Sequence, residues 1–242
     1  MKRFLQYLFG VSVIVIGLFL ILERKNSNIL PYANPNYNGN FHCSVSDTVF
    51  GIDVSHHNGF IDWESLKLNH PEIEFAYIRC VVGQGRVDNK YVKNVQGAKK
   101  VGIKTGAYVY YYANRNSRAQ FNNFKNQVLM SQHELVPVLD IEKPSKYGPD
   151  NLRKGLANWL ELVENEYGVR PTLYTNLGYF EQYLFGYFND YLKWIAAYSR
   201  CPSSVDWDIH QFSEKGIFQG IDGFVDMNYC SRSSFNKFLI VR

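Results

Sequence analysis

The chain has 242 residues, 46% of them hydrophobic and 16% aromatic, with a formal net charge of +4. This length and apolar content suffice for one domain with a full core, and single-domain barrels commonly exceed about 200 residues. The charge is mild and no dense lysine and arginine block follows the first residues, which argues against a nucleic-acid-binding protein and leaves an anionic polymer such as a cell wall as a compatible partner.

The N-terminus carries a nearly continuous apolar run from Phe4 to Leu22, behind Lys2 and Arg3. At about 1.5 Å per residue, a helix of this length nearly spans the hydrocarbon core of a bilayer. No Ala-x-Ala-like cleavage site follows the run. We therefore predict an uncleaved signal anchor over residues 1–25, with a cleaved signal peptide and secretion as the alternative. The flanking charges weakly favour a C-terminal domain outside the cytoplasmic membrane.

Residues 26–48 are rich in Asn, Pro, Tyr and Ser and lack any helical or strand periodicity, which predicts a linker. The four cysteines, Cys43, Cys80, Cys201 and Cys230, allow three complete pairings in an oxidising compartment, and the sequence does not choose among them. Cys80 lies in an apolar run and is expected to be a buried thiol. None of the cysteines has the spacing of a zinc site.

Residues 49–242 alternate short apolar runs with amphipathic segments, which predicts βα units around a largely parallel sheet. Eight runs are predicted strands: Val49–Ser55, Phe75–Val82, Thr105–Tyr112, Val136–Ile141, Thr172–Thr175, Lys193–Tyr198, Ile209–Phe212 and Gly223–Asn228. Five segments are predicted helices: Asp62–Asn69, Lys90–Val101, Ser117–Gln132, Asn151–Tyr167 and Leu177–Leu184. The pattern predicts an α/β fold, an irregular TIM-like β/α barrel with eight strands, in which the last strands lack helices.

Acidic residues stand at three predicted strand ends, where α/β barrels collect their functional side chains. Asp140 and Glu142 follow the fourth run and, in an extended strand, project from the same side about 6–7 Å apart. Asp53 ends the first run and Asp226 ends the last, and the first and last strands are neighbours in a closed barrel. The alternatives are a strand end or helix cap for the Asp-x-Glu pair, and loop capping or pairing with Arg79 for Asp53 and Asp226.

In order and spacing, these segments resemble glycoside hydrolase family 25, the Chalaropsis-type lysozymes that cleave between N-acetylmuramic acid and N-acetylglucosamine in peptidoglycan. The resemblance extends from about Val49 to Asn228. It rests on Gly51-Ile52-Asp53-Val54-Ser55, Ile61-Asp62-Trp63, Gly106-Ala107-Tyr108, Pro137-Val138-Leu139-Asp140-Ile141-Glu142, Leu173-Tyr174-Thr175, Trp194-Ile195-Ala196-Ala197-Tyr198 and Val225-Asp226-Met227-Asn228.

The resemblance implies roles for the four acids. Glu142 would be the general acid that protonates the leaving-group oxygen, Asp140 would stabilise the substrate at the reacting carbon, and Asp53 and Asp226 would support that pair. Crowded carboxylates cannot all ionise cheaply, which fits such a division. Retaining, inverting and substrate-assisted routes all stay open, since about 6–7 Å lies between the separations typical of retaining and inverting enzymes. We favour assistance by the 2-acetamido group of the sugar, and we expect no cofactor.

Aromatic residues and one arginine are predicted to line a saccharide groove, because aromatic rings stack on sugars, although several of these rings could instead fill the core. The predicted substrate-binding residues are Arg79, Tyr108, Tyr110, Tyr174, Trp194 and Tyr198. His56 and His57 lie beside Asp53 without a third ligand at a diagnostic spacing, so we predict a polar pocket rim and no metal site.

The chain departs from the family pattern after the second strand, where members usually read Lys-Ala-Thr or Ser-Glu-Gly. Here Val81 and Val82 replace the polar and acidic positions, which questions specificity more than activity. Val81 and Val82 suggest one alternative to a muramidase, a non-catalytic glycan-binding module. A separate alternative is a hydrolase of chitin or another N-acetylhexosamine polymer. The expected partners are peptidoglycan glycan strands and, through the N-terminal segment, a membrane. The sequence has no heptad pattern that would argue against a monomer, so we expect a monomer.

Overall fold

The computed structural model describes residues 43–241, and the statements that follow concern those residues. The predicted anchor over residues 1–25 and most of the predicted linker lie outside them. Between residues 43 and 241, no helix is long and apolar enough to cross a membrane.

The described residues form one sheet that closes on itself. Its strands are Thr48–Val54 (β1), Ile73–Val82 (β2), Arg86–Val87 (β3), Lys104–Tyr110 (β4), Val138–Asp140 (β5), Thr172–Asn176 (β6), Lys193–Ala196 (β7), Ile209–Gly216 (β8) and Val225–Ser231 (β9). The order is β1-β9-β8-β7-β6-β5-β4-β2-β3, and a β1–β2 pairing closes eight strands into a barrel. The predicted irregular eight-stranded barrel is confirmed, and β3 is a two-residue addition to the edge of β2.

Strand β9 runs against the direction of the other barrel strands. It pairs antiparallel with both β8 and β1, whereas the remaining barrel pairings are parallel. The connection over residues 217–224 is too short for a parallel crossover, which needs about a dozen residues or more. The prediction that Asp226 ends the last strand is therefore wrong. Asp226 stands near the start of β9, and the reversal of that strand places it beside the C-terminal ends of its neighbours.

The helices lie outside the barrel, as predicted. They are Trp63–Asn69 (α1), Tyr91–Lys100 (α2), Ser117–Gln127 (α3), Pro149–Tyr167 (α4), Leu177–Tyr179 (α5) and Arg232–Lys237 (α6). Helix α4 illustrates how the sequence defines them: Pro149 occupies its first turn and Gly168, at φ 66°, ends it in the left-handed conformation. Its buried residues recur every three or four positions and face the barrel: Leu152, Leu156, Trp159, Leu160 and Val163.

Three helix predictions need correction. The helix predicted over 117–132 ends at Gln127, because Val128 adopts an extended conformation before a short 3₁₀ turn. The helix predicted over 177–184 is a single α turn followed by a π turn over Phe180–Leu184. The prediction that the last strands lack helices holds for the β7–β8 and β8–β9 connections, but a helix follows β9, where Ser231 accepts a hydrogen bond from the Ser234 N–H and starts α6.

The barrel interior is filled largely by aromatic rings. Phe75 and Tyr77 point inward from β2, and the Tyr77 ring lies 4.9 Å from the Trp194 ring, centroid to centroid. Gly51 and Gly106 leave room for them, because a Cβ at either position would collide with the Phe75 or Tyr77 ring. This packed layer forms the floor on which the polar residues of the barrel mouth rest.

Cys43 and Cys201 form a disulfide that ties the segment before β1 to the loop after β7. Cys80 and Cys230 are both free and fully buried. The prediction of a buried Cys80 thiol is confirmed, and none of the three complete pairings is formed.

Candidate active site

A cavity of about 350 Å³ opens at the end of the barrel where the parallel strands terminate. Its lining residues are Asp53, Ser55, His57, Asn58, Arg79, Tyr108, Tyr110, Asp140, Glu142, Tyr174, Trp194, Glu214, Phe224 and Asp226. The cavity thus brings together the four acids selected from the sequence and five of the six predicted substrate-binding residues. Tyr198, the sixth, does not line the cavity, but its hydroxyl donates a hydrogen bond to Gln211, which in turn bonds Asp53.

Asp53 and Asp226 face each other across the β1–β9 pair, where they are direct register partners. Burial is the main cause that raises the pKa of both carboxyl groups. The charge of Asp53 raises the pKa of Asp226 further, whereas hydrogen bonds from two amides favour the ionised form of Asp53. When the pair holds a single proton, that proton therefore resides on Asp226.

Two buried amides orient Asp53. Gln211 Nε2 and Asn228 Nδ2 each donate a hydrogen bond of 2.8 Å to Asp53 Oδ2. Gln211 on β8 and Asn228 on β9 are themselves register partners, so the sheet presents both amides side by side. The alternative in which Asp53 pairs with Arg79 is not realised in the structure.

Three of the predicted sugar-stacking rings are tied to this amide pair. The hydroxyls of Tyr174 and Tyr198 donate to Gln211 Oε1 at 2.8 and 2.7 Å. Trp194 Nε1 donates to Asn228 Oδ1 at 2.8 Å, and Trp194 is only 2% exposed. Trp194 is therefore a buried floor residue that holds Asn228, and Tyr198 is the most exposed ring of the three, at 39%.

Asp140 ends β5 and is 5% exposed. Its Oδ1 atom is buried and has no hydrogen-bond partner within residues 43–241. Burial raises the pKa of Asp140 well above its ordinary value, the carboxyls of Glu142 and Asp53 add to the rise, and Arg79 opposes it. The Asp140 side chain also lines the cavity, so its carboxyl group is suited to receive an N–H or O–H from a ligand bound there.

Glu142 follows two residues after Asp140, beyond the end of β5, and is exposed at the cavity. Tyr110 on β4 shares a side-chain hydrogen bond with Glu142, and burial followed by the Glu142 charge raises the Tyr110 pKa above its ordinary value. The two acids thus differ in environment: Asp140 is enclosed, whereas Glu142 can approach a ligand from solvent.

Arg79 is held at the cavity wall by Asp88, a buried residue that the sequence analysis did not select. Arg79 Nε donates to Asp88 Oδ2 at 3.0 Å, and the backbone N–H groups of His56 and Lys90 also donate to the Asp88 carboxylate, each at 3.0 Å. The His56 ring contacts both Arg79 and Asp88. His57 lines the cavity, in agreement with the predicted polar rim. Within residues 43–241, no group of three or more His, Cys, Asp or Glu residues is arranged to hold a metal ion.

The sequence contained signals for some of the missed residues. Along β9, Asn228 stands two residues after Asp226, and along β8, Gln211 stands two residues after the inward-facing Ile209. Residues two apart on a strand share a face, so both polar side chains point inward. Glu214 was missed because β8 extends four residues beyond the predicted end at Phe212. Val81 is fully buried, and neither Val81 nor Val82 lines the cavity, so the departure from the family pattern lies outside the cavity wall.

An eight-stranded barrel with paired carboxyl groups at its mouth has the groups that glycoside hydrolases use, and the family comparison gives the class. The family model described as Glycosyl hydrolases family 25 matches residues 52–221. The chain therefore belongs to glycosyl hydrolase family 25.

The relatives agree with this membership. YegX from Escherichia coli O157:H7 is 34% identical over 193 residues, which cover 77% of this chain and 71% of YegX. Lysozyme M1 from Streptomyces globisporus is 30% identical over 200 residues, which cover 74% of this chain and 67% of that protein. A family 25 glycosyl hydrolase from Bacillus anthracis shares the fold, with a TM-score of 0.74 at 23% identity over 83% of this chain and 97% of that chain.

Proposed function

We propose that the protein is a muramidase that hydrolyses the β-1,4 bond between N-acetylmuramic acid and N-acetylglucosamine in peptidoglycan. The observation that carries this proposal is that the buried Asp140 and the exposed Glu142 line the same cavity. An acetamido N–H is a suitable donor to the Asp140 carboxyl group, and Glu142 is suitably exposed to protonate a glycosidic oxygen. Family membership and the lysozyme among the relatives support the same reaction.

The chemistry uses substrate assistance. Glu142 donates its proton to the glycosidic oxygen, the bond from that oxygen to the anomeric carbon breaks, and the acetamido oxygen of the muramic residue bonds to the same carbon. Asp140 accepts the acetamido N–H and stabilises the positive charge that develops on the ring. Water then attacks the anomeric carbon from the opposite face and gives a proton to the Glu142 carboxylate, while the bond from that carbon to the acetamido oxygen breaks and restores the acetamido group. Bond cleavage is thus a hydrolysis with retained configuration.

Asp53 and Asp226 support this pair through their shared proton. The ionised Asp53 contributes negative charge beneath the reacting sugar, and Asp226 keeps the proton that prevents two adjacent buried charges. Tyr108 and Tyr110 line the cavity and, with the half-exposed Tyr198, contribute aromatic surface for the sugar rings. The charge of Arg79 lowers the pKa of Asp140.

The site of action is extracytoplasmic. A disulfide between Cys43 and Cys201 favours an oxidising compartment, and a cell-wall substrate lies outside the cytoplasmic membrane. The apolar run within residues 1–25 serves as the membrane anchor, and secretion after cleavage is the alternative.

The test is mass spectrometry of fragments released from purified peptidoglycan by the full-length protein, its Glu142→Gln variant and a Glu161→Gln control. Glu161 is exposed on α4, away from the cavity, so its substitution should leave the products unchanged. Fragments ending in reducing N-acetylmuramic acid, lost in Glu142→Gln, would establish the muramidase. Reducing N-acetylglucosamine ends would show that the enzyme cleaves the other glycosidic bond of the strand. Saturable binding without fragments would indicate a glycan-binding module. Chitin fragments would indicate another N-acetylhexosamine polymer as substrate.

A further inference from the structure

Phe224, at the end of the loop between β8 and β9, is the most exposed Phe, Tyr or Trp side chain that lines the active-site cavity, at 58%. Tyr108 and Tyr174 are each 9% exposed, and Trp194 is 2% exposed. The faces of these three rings are therefore covered mostly by the protein itself. An apolar ring left open in a cavity with polar walls marks a surface that a ligand can cover.

The backbone of Phe224 is fixed on both sides. Asn58 Nδ2 donates to the Phe224 carbonyl at 3.1 Å, and Asn58 is itself held because the Ser55 N–H donates to Asn58 Oδ1 at 2.9 Å. The next residue along the chain, Val225, is a register partner of Gly216 in the β8–β9 pair. A ligand that packs against the ring therefore has little additional backbone to order.

Phe224 lies across the barrel mouth from Glu142. Phe224 directly precedes β9, and Glu142 follows the end of β5. Around the closed sheet, β8, β7 and β6 separate these two strands on one side, and β1, β2 and β4 separate them on the other. The two strands therefore face each other, and a saccharide bound at Glu142 can reach Phe224 through the cavity that both residues line.

Glu214 adds a polar group to the same wall. The pairing of β8 with β9 is interrupted around it by two register shifts between Gln211 and Gly216. Bulges of this kind redirect side chains next to active sites. Here the exposed Glu214 lines the cavity, and its charge contributes to the raised pKa of Asp226. Phe224 and Glu214 thus present an apolar ring and a carboxylate acceptor from one hairpin.

We propose that Phe224 and Glu214 form a second saccharide subsite, which binds one sugar ring of the glycan strand across the cavity from Glu142. This inference rests on the proposed function, in that a glycan strand is the substrate. The C–H face of the sugar covers the phenyl ring, and Glu214 accepts a hydrogen bond from a hydroxyl or acetamido N–H of the same sugar.

Isothermal titration calorimetry of the full-length Glu142→Gln protein tests the subsite without cleavage of the ligand. The probe is a synthetic tetrasaccharide of alternating N-acetylglucosamine and N-acetylmuramic acid. In this background Phe224→Ala should weaken binding by about threefold to tenfold, and Phe185→Ala should leave it unchanged. Phe185 is a matched control, because it is 62% exposed and does not line the cavity. Unchanged binding in Phe224→Ala, or equal losses in both variants, would overturn the inference.

The Phe224→Trp variant gives a direct reading of contact with the sugar. An indole keeps a flat apolar surface, so binding should be retained. Saturating tetrasaccharide should shift the emission of the added tryptophan and protect it from acrylamide quenching, relative to the parent protein titrated in parallel. Retained binding with no change in emission or quenching would place the sugar away from residue 224 and overturn the inference.

Glu214 is tested by its Ala and Gln variants in the same background. Glu214→Ala removes the acceptor and should weaken tetrasaccharide binding by about threefold to tenfold. Glu214→Gln keeps an acceptor oxygen, so its affinity should lie closer to that of the parent protein. Glu161→Ala, at an exposed position on α4, should leave binding unchanged. Unchanged binding in Glu214→Ala would remove Glu214 from the subsite.

Kinetics separate this inference from the proposed function. With Glu142 intact, Phe224→Ala should raise KM for glycan strands by about threefold to tenfold and leave kcat unchanged, as expected for an interaction that is equal in the ground state and the transition state. If the wild-type protein cleaved no peptidoglycan, the proposed function would fail, while the calorimetry would still decide whether this subsite binds a saccharide.

Discussion

Asp53 lies directly opposite Asp226 across the antiparallel β1–β9 pair, so two buried carboxyl groups share one position of the sheet. The Cα atoms of facing residues in an antiparallel pair lie about 4.5–5.5 Å apart. At this separation, the charge of one carboxyl group raises the pKa of the other. The amides of Gln211 and Asn228 bond only Asp53, which makes the pair unequal. The asymmetry assigns the charge to Asp53 and the proton to Asp226.

Replacing Asp226 with Asn should stabilise the protein at pH 8 while lowering its activity. Below about pH 4, Asp226 is protonated in both the folded and unfolded chains, so wild type and variant should unfold alike. At higher pH the unfolded chain releases this proton, whereas the raised pKa of Asp226 makes the folded chain retain it. Wild type therefore loses stability progressively as the pH rises from about 4, where the unfolded chain begins to release the proton, toward the raised pKa of the folded chain, and the Asn variant does not. Thermal unfolding across pH 4–8 should show Tm values that diverge, by about 2–4 °C per kcal/mol. A constant offset at all pH values would show a packing effect instead.

Replacing Arg79 with Met should move the acidic limb of the pH–activity profile to higher pH. The positive charge of Arg79 lowers the pKa of Asp140, and the proposed mechanism needs Asp140 ionised. Loss of that charge should raise the limb by on the order of 1 pH unit. The Arg79→Lys variant keeps the charge and serves as the control, with a limb close to that of wild type. Equal limbs in wild type, Met and Lys variants would contradict the role of Arg79.

Replacing Gln211 with Leu should reduce kcat with little effect on folding of the barrel. Asp53 would lose one of its two amide donors, and the hydroxyls of Tyr174 and Tyr198 would lose their shared acceptor. A hydrogen bond to a charged group contributes about 1.5–3 kcal/mol, which corresponds to a decrease of about tenfold to a hundredfold in rate. Gln182→Leu, at an exposed position, is the matched control. A Gln211→Leu enzyme with wild-type kcat would contradict the role of Gln211 in orienting Asp53.

Removing the Cys43–Cys201 disulfide should lower the free energy of unfolding by about 2–4 kcal/mol, because the bond closes a sequence separation of 158 residues. The double variant Cys43→Ser, Cys201→Ser tests this by chemical denaturation. A reductant should destabilise wild type and leave the double variant unaffected. Thiol alkylation gives a second measure: two thiols, from Cys80 and Cys230, should react only after unfolding. A reductant effect of equal size in both proteins would contradict the assignment.

The periodicity of the sequence predicted the barrel, because apolar runs such as the one ending at Asp140 stand out against amphipathic helices. The direction of β9 was not predicted, since an antiparallel hairpin and a parallel crossover differ in loop length rather than in strand composition. Helix ends were also missed: no Gly or Pro marks the break after Gln127, which depends on the extended conformation of Val128.

The four acids could be selected from the sequence because each follows or begins an apolar run near a family motif. Their supporting residues were missed for a physical reason. Gln211 acts through a hydrogen bond to Asp53, 158 positions away, and no local pattern encodes such a pairing. Asp88 bonds Arg79 nine positions away and the backbone of His56 32 positions away, and neither spacing is a known local motif. The unequal environments of Asp140 and Glu142 likewise depend on burial by other strands.

The covalent link between Cys43 and Cys201 also determines how mechanical tension would enter the domain. A force applied through the residues that precede Cys43 would pass along the disulfide into the loop after β7. The force would then not be carried by the hydrogen bonds that join β1 to β2 and β9, so it would not break those bonds one after another and detach β1 from the barrel. An enzyme working on a stretched wall polymer would thus keep Asp53, carried by β1, in register with Asp226 under load.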